Sequence, residues 1–152
     1  MMKITNIALL MVVVSCGFAV GCTKDPNAKY PVSGMVRVNG EPVATGAISF
    51  LPVDGTKVET SSASSIVHGK YDIPKKDGLL PGEYKVQIYG QVQAKNPDGT
   101  PKVRESGKPV TMDIIPDRYN MNSTETVTIE PGKNKFDYGF DVDPSEFKEH
   151  PF

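Results

Sequence analysis

The side chains that could carry nucleophilic or redox chemistry are few in this 152-residue chain, and its two cysteines, Cys16 and Cys22, both lie near the N-terminus. Because no cysteine follows Cys22, the rest of the chain can form neither a disulfide nor a thiolate metal site. Thiol chemistry is therefore confined to the N-terminal segment, and the role of a cysteine at position 22 has to be sought there.

The N-terminal segment has the pattern of a secretory signal. It begins with Met1-Met2-Lys3, which supplies a positive charge, and it contains an apolar run from Ile7 to Gly21. That run is 15 residues long, whereas a helix that spans a bilayer needs about 20. We therefore expect residues 1–21 to be a removable signal peptide rather than a transmembrane anchor.

The end of this segment, Ala19-Val20-Gly21-Cys22, resembles the lipobox of bacterial lipoproteins. The resemblance implies cleavage before Cys22 and a diacylglyceryl thioether on its sulfur, so that membrane lipid is held through the acylated cysteine. Ala19 departs from the pattern, since the lipobox usually has Leu there. Residues 22–30 would then be the lipidated cysteine and a polar tether in the cell envelope. Thr23, in place of Asp, favours the outer over the inner membrane.

Other interpretations of this segment stay open. Cys16, preceded by Val13-Val14-Ser15, competes as the modified cysteine, although cleavage there would leave an apolar start to the mature chain. An ordinary secretory signal with an unmodified Cys22 is a second alternative. A buried N-terminal helix of a cytosolic protein is a third.

Patterns for catalysis and metal binding are weak after Cys22. A zinc site needs three or four His, Cys or carboxylate ligands, and His68 and His150 alone do not supply them. Asp137, Asp141 and Asp143 alternate near one predicted strand, and we expect them to face solvent rather than hold calcium. The sequence contains no Gly-rich phosphate loop and no Gly-x-Ser-x-Gly elbow. We therefore predict no enzyme activity, no cofactor and no metal.

Composition and charge narrow the class of protein further. The formal net charge of −1 offers no concentrated basic patch, which argues against nucleic acid as a partner. With 14 glycines, 13 prolines and no tryptophan, the chain favours short strands joined by turns. The length predicts one domain.

Alternation of apolar and polar residues predicts an all-β fold, and Asn39-Gly40 predicts a tight turn because Asn-Gly accepts positive φ. About seven strands at roughly ten-residue spacing are typical of an antiparallel β-sandwich of immunoglobulin-like or prealbumin-like kind over residues 31–142. Gly90–Pro109 is expected to be a mobile polar loop, and residues 143–152 a polar, frayed tail. The predicted strands are Val32–Val38, Val43–Leu51, a hairpin within Ser64–Ile73, Glu83–Tyr89 with Tyr84, Val86 and Ile88 inward, Val110–Ile115, Ser123–Glu130 and Lys135–Val142.

Three segments together resemble a known family: residues 32–43 (VSGMVRVNGEPV), 47–52 (AISFLP) and 80–86 (LPGEYKV). They are similar to carboxypeptidase regulatory-like, or transthyretin-like, β-sandwich domains, and especially to small lipoproteins of that kind that are common in planctomycete bacteria. These motifs are turn and strand signals, so the resemblance implies a fold and no activity. Gly34 and Gly46 are expected to allow a close backbone approach or a bulge.

The leading functional hypothesis is a membrane-anchored, non-enzymatic interaction or structural module that meets an envelope protein or glycan. Tyr89 is expected to point outward as a possible contact residue, while Tyr119 is expected either to be an exposed binding aromatic or to plug one end of the sandwich. A carbohydrate- or polymer-binding module is one alternative. A transthyretin-like hydrolase is another, which would need His68, expected in a solvated turn, to converge with arginines; the family's closing Tyr-Arg-Gly-Ser signature is missing from the sequence.

Overall fold

The computed structural model describes Asp25 and residues 27–54 and 59–149, and within these ranges the chain is all-β, as predicted, with no α-helix. Short 3-10 turns lie at Lys75–Asp77, Asp117–Tyr119 and Pro144–Glu146. The described strands are β1 (Val32–Val38), β2 (Glu41–Pro42), β3 (Thr45–Pro52), β4 (Ser62–Val67), β5 (Lys70–Ile73), β6 (Gly82–Gln93), β7 (Thr111–Asp113), β8 (Thr126–Ile129), β9 (Asn134–Lys135), β10 (Tyr138–Phe140) and β11 (Lys148–Glu149).

Hydrogen bonding joins these strands into one sheet in the order β10-β1-β5-β4-β3-β6-β7-β11. Strands β2 and β9 also pair with β1, and β8 pairs with β6. Most pairs are antiparallel, but β9 and β10 run parallel to β1. The sheet curls into a half-barrel.

The hydrophobic core lies on the inner face of this curled sheet. Since successive side chains of a strand point to opposite faces, every second residue is buried. On β6 these are Tyr84, Val86 and Ile88, as the alternation predicts, and on β3 they are Ile48 and Phe50. The predicted inward face is therefore confirmed for β6.

The first hairpin is shorter than its sequence predicts. Asn39 and Gly40 both have positive φ, 52° and 82°, which confirms the turn. The returning strand, however, pairs with β1 only at Glu41–Pro42. The following β3 then pairs with β4 and β6, and β5 lies beside β1 instead. Turn chemistry fixes the reversal of the chain, but not how long the two strands remain partners.

The last predicted strand, Lys135–Val142, is divided into β9 and β10 by a break in the ladder at residues 136–137, and the register with β1 is the same on both sides of this break. There the Asp137 carboxylate, rather than a backbone carbonyl, accepts a hydrogen bond from the Met35 N–H at 2.9 Å. The Phe136 carbonyl oxygen lies so close to Gly34 that a Cβ on this glycine would be 1.8 Å from it. Gly46 is similar, with the Tyr89 carbonyl oxygen 2.1 Å from the position of a Cβ. The predicted close approaches at both glycines are confirmed.

The polar excursion after β6 begins later than predicted, because β6 continues to Gln93. The following residues fold back on themselves through isolated bridges that join Lys95 to Pro101 and Val103 to Pro109. The predicted frayed tail is ordered over residues 143–149, where β11 pairs with β7. The folded unit therefore extends past residue 142.

The strand registers define two ends of the sheet. At the near end, β1 begins opposite Ile73, and Tyr30 exchanges two backbone hydrogen bonds with Leu79, at 2.8 and 3.0 Å. At the far end, the Asn39 side chain donates to the Val142 carbonyl at 2.9 Å and accepts from the Val142 N–H at 2.8 Å. The 12 residues of β6 extend for about 36 Å from the near end outward.

Replacing Gly34 with alanine tests the close approach. We expect Gly34→Ala to lower the free energy of unfolding by about 3 kcal/mol or more, because the Phe136 carbonyl must be displaced. The matched control is Gly139→Ala, where a Cβ meets nothing within 4 Å and stability should rise by about 0.5 kcal/mol. Urea unfolding followed by circular dichroism measures both. Equal stability of the two variants would contradict the assigned role of Gly34.

Candidate functional site

Tyr89 lies on the outer face of β6 and is 39% exposed, as its position in the alternation predicts. Its ring lines a groove of about 300 Å³, named here the Tyr89 groove, between β6, the segment after β7 and the C-terminal residues. Met121, which is 72% exposed, lies across the same groove. The polar side chains that line the groove include those of Gln91, Asp113, Asp117, Glu146 and Lys148.

The polar side chains that line the Tyr89 groove bind one another. The Gln91 amide donates to the Asp113 carboxylate at 2.9 Å. Lys148 donates to Asp117 at 2.8 Å, an ion pair that bridges the C-terminal segment and the turn after β7. The groove thus combines an aromatic ring and a methionine with carboxylates and an amide, a surface able to hold a polar chain against an apolar platform.

Tyr119 has a different environment, turned away from the groove. Its ring lies 4.3 Å from that of Phe140, centroid to centroid, and the Arg118 guanidinium lies 5.0 Å from the Tyr119 centroid on the ring face. It is half-buried against the core. This packing joins the segment after β7 to β10, which is the plug arrangement rather than an exposed platform. A partner contact at either tyrosine stays a prediction.

A larger depression of about 750 Å³ crosses the outer face of β4, β5, β1 and β9. Sequence reasoning missed this outer-face groove because its residues come from four strands that are separated along the chain. The signal in the sequence that could have indicated this groove is an apolar residue at a strand position that faces solvent, Val67, which is 56% exposed. Its polar lining includes Ser33, Arg37, Ser65, Lys70, Asp72, Lys135 and Asp137.

Asp137, at the break between β9 and β10, interacts with two cations of the outer-face groove, Lys135 and Arg37. Its carboxylate pairs with Lys135 at 3.0 Å, and this interaction, with smaller contributions from the Met35 N–H and the Arg37 charge, holds the pKa of Asp137 below its usual value. Arg37 donates to the Met35 sulfur at 2.9 and 3.2 Å. The cations of the groove are therefore partly engaged with neighbouring side chains.

Beneath this groove, Tyr71 secures the break between β9 and β10 from the inner face. Its hydroxyl donates to the Phe136 carbonyl at 2.8 Å, across the strand that carries Gly34. Burial, with smaller contributions from Tyr138 and Asp137, raises the pKa of Tyr71, so the phenol stays protonated and remains a donor.

The remaining candidate residues are dispersed. His68 lies exposed in the β4–β5 turn with a φ of 49°, as expected of a solvated turn residue. Of the arginines, Arg37 lies on β1, while Arg104 and Arg118 pair with C-terminal glutamates. Within residues 27–54 and 59–149, no three His, Cys, Asp or Glu side chains are grouped so that they could hold a metal ion. Cys22 and His150 lie outside the described residues.

In comparisons with known proteins, no protein-family model matches the chain, and no curated protein matches it. The similarity to carboxypeptidase regulatory-like domains therefore stays a prediction from the sequence. In the part of the chain that the structure describes, no helix has the length and apolar character needed to cross a membrane.

The two tyrosines should respond differently to truncation. We expect Tyr119→Ala to lower the free energy of unfolding by about 2 kcal/mol, because the Phe140 ring loses its packing partner. Tyr89→Ala, on the exposed outer face, should change stability by less than about 0.5 kcal/mol. Thermal and urea unfolding of both variants provide the measurement. A large loss in Tyr89→Ala with none in Tyr119→Ala would refute the assignment of plug and surface residue.

The Asp137 carboxylate predicts that the stability of the fold depends on pH. The pKa of Asp137 is lower in the folded state than in the unfolded chain. Its contribution to the free energy of unfolding is therefore present above the unfolded pKa and is lost as pH falls through the folded pKa. Asp137→Asn should therefore unfold at a lower urea concentration than the wild type at pH 7, and this difference should shrink at pH 2. Asp141→Asn, at another exposed carboxylate, is the control. If the difference in stability between wild type and Asp137→Asn stays constant with pH, the negative charge of Asp137 does not stabilise the fold.

Proposed function

We propose that this chain is a bacterial lipoprotein whose non-enzymatic β domain is held at a membrane of the cell envelope through acylated Cys22. The observation that carries the proposal is the distance between that cysteine and the folded domain. Tyr30 is already bound to Leu79 by two backbone hydrogen bonds, so residues 22–30 can extend for at most about 28 Å. A lipobox-like cysteine followed by so short a connection is the arrangement expected of a domain kept close to lipid.

The proposed anchor is energetically sufficient. Each buried CH₂ contributes about 0.8 kcal/mol, so two or three acyl chains hold a protein stably where a single chain does not. Thr23 after the cysteine supports the outer membrane as the site of retention. On this proposal the near end of the sheet faces the bilayer.

The opposite end then becomes the surface that partners meet. Because β6 extends for about 36 Å away from the near end, the excursion of residues 94–110 and the C-terminal segment are held away from the lipid. The Tyr89 groove lies on the half of β6 that is farther from the near end, where Tyr89 pairs with Ala47 close to the start of β3. A partner in the envelope would reach these surfaces without competing with the membrane.

We further propose that the half-barrel is a variant of the immunoglobulin-like or prealbumin-like β-sandwich, as the resemblance to carboxypeptidase regulatory-like domains implies. Two observations support this. The core is enclosed by strands from both flanks of the sheet, and the Tyr119–Phe140 contact joins those flanks. In this arrangement, β6 and the strands beside it form one layer, and β1 and the strands beside it form the other.

Binding of a carbohydrate or polymer is a second candidate function, which the Tyr89 groove favours. An exposed aromatic ring beside Gln91 and carboxylates can stack on a sugar ring while polar groups bind its hydroxyls. A glycan array with the wild type and Tyr89→Ala as probes would test it. Binding that requires Tyr89 supports this function, and an array without any binding removes it.

Replacing the proposed lipidated cysteine tests the leading function. Wild-type protein should partition with envelope membranes, and mass spectrometry of its mature N-terminus should show a diacylglyceryl-modified cysteine. Cys22→Ser should move to the soluble fraction, because the acyl chains that bind the bilayer can no longer be attached. Cys16→Ser is the matched control and should behave as wild type. Native protein found in the soluble fraction with an unmodified Cys22 would overturn the proposal.

A further inference from the structure

The C-terminal segment 143–149 lies along the outer edge of β7 in the manner of a bound peptide. Its strand β11 pairs antiparallel with β7, with Lys148 opposite Asp113 and Glu149 opposite Met112. An edge strand offers unpaired backbone groups to any extended segment that approaches it. In this molecule the chain's own terminus takes that position.

Side chains anchor the segment at four points, one of which is the Lys148–Asp117 ion pair at 2.8 Å. Glu146 contacts both terminal nitrogens of the Arg118 guanidinium, at 2.5 and 3.4 Å. Phe147 is half-buried against the core. Glu149 pairs with Lys102 at 3.4 Å and with Arg104 at 3.5 Å. The segment therefore presents an acidic, an aromatic, a basic and a second acidic residue in sequence.

The charges on the two sides are complementary and mixed in sign. Arg118, Lys102 and Arg104 receive the two glutamates, while Asp117 receives Lys148 of the segment. A uniformly anionic polymer would meet the Asp117 carboxylate without a counter-charge. The surface therefore fits an extended peptide better than a nucleic acid or a polyphosphate.

The hold on the segment is weak, because its ion pairs are exposed. Such pairs contribute about 0 to 1 kcal/mol each, and β11 contributes only two residues to the ladder. The segment can therefore leave β7 at small cost. Glu146 and Lys148 also form one wall of the Tyr89 groove, so its departure would open that groove.

We propose that the β7 edge, with Lys102, Arg104, Asp117 and Arg118, is a binding site for an extended partner peptide that carries an acidic–aromatic–basic–acidic pattern. The C-terminal segment is a built-in competitor for this site. The inference rests on the proposed interaction function and specifies the chemistry of the partner. A partner strand longer than β11 displaces the segment by pairing with more of β7 and by reaching Tyr89.

A labelled peptide of residues 143–152 is the probe for this site. Its affinity is measured by fluorescence anisotropy, with the full chain carrying Cys22→Ser as receptor. A second receptor has its own segment released by Glu146→Ala, Phe147→Ala and Glu149→Ala. We expect the released receptor to bind at least about tenfold more tightly, because a tethered competitor acts at an effective concentration near the millimolar range. Added salt should weaken the binding.

Charge exchange identifies the contact and controls for unfolding. Arg118→Glu in the released receptor should abolish binding of the wild-type peptide, and a Glu146→Lys peptide should restore it. Circular dichroism verifies that each receptor is folded. If the triple variant does not fold, Glu146→Lys alone in the full chain serves as the released receptor.

Equal binding to both receptors, or no binding to the released one, would overturn this inference. Because both receptors lack Cys22, the result is independent of lipidation. A failure of the fractionation experiment and a failure of this one can therefore be told apart.

Discussion

The close contact between Gly34 and the Phe136 carbonyl is the constraint on which the shape of the domain depends. With no side chain on Gly34, the C-terminal part of the chain can lie beside β1 in a parallel orientation, first as β9 and then as β10. At the break between them, the Asp137 carboxylate accepts from the Met35 N–H on one face, and the Tyr71 hydroxyl donates to the Phe136 carbonyl on the other. Buried backbone groups need such partners, and side chains supply them where the ladder is interrupted.

This arrangement has a consequence for the whole sheet. Once β10 lies beside β1, Phe140 points inward and meets Tyr119 from the segment after β7. One aromatic contact therefore links the two flanks of the half-barrel. The same folding places Arg118 at the surface, where it receives Glu146. The core and the C-terminal attachment thus depend on the same few residues.

The proposed function uses the two ends of the sheet for different purposes. The near end receives the tether at Tyr30, while the polar excursion and the C-terminal segment gather toward the other end. Rigid strands separate the two. A lipid anchor needs only a short connection, and an interaction site needs distance from the headgroups. The strand length of β6 meets both requirements without a hinge.

The amino-acid sequence by itself determined the all-β class, the positive-φ turn at Asn39-Gly40, the inward face of β6 and the close approaches at Gly34 and Gly46. These features are local, because alternation, turn chemistry and the absence of a side chain act over a few residues. The sequence also suggested Cys22 and the short tether, which stay predictions. Only the tertiary structure decided that β3 leaves β1, that Tyr119 packs against Phe140, and that the C-terminal segment occupies β7. Those outcomes depend on which distant segments become neighbours, and sequence periodicity carries no information about the identity of a strand's partner.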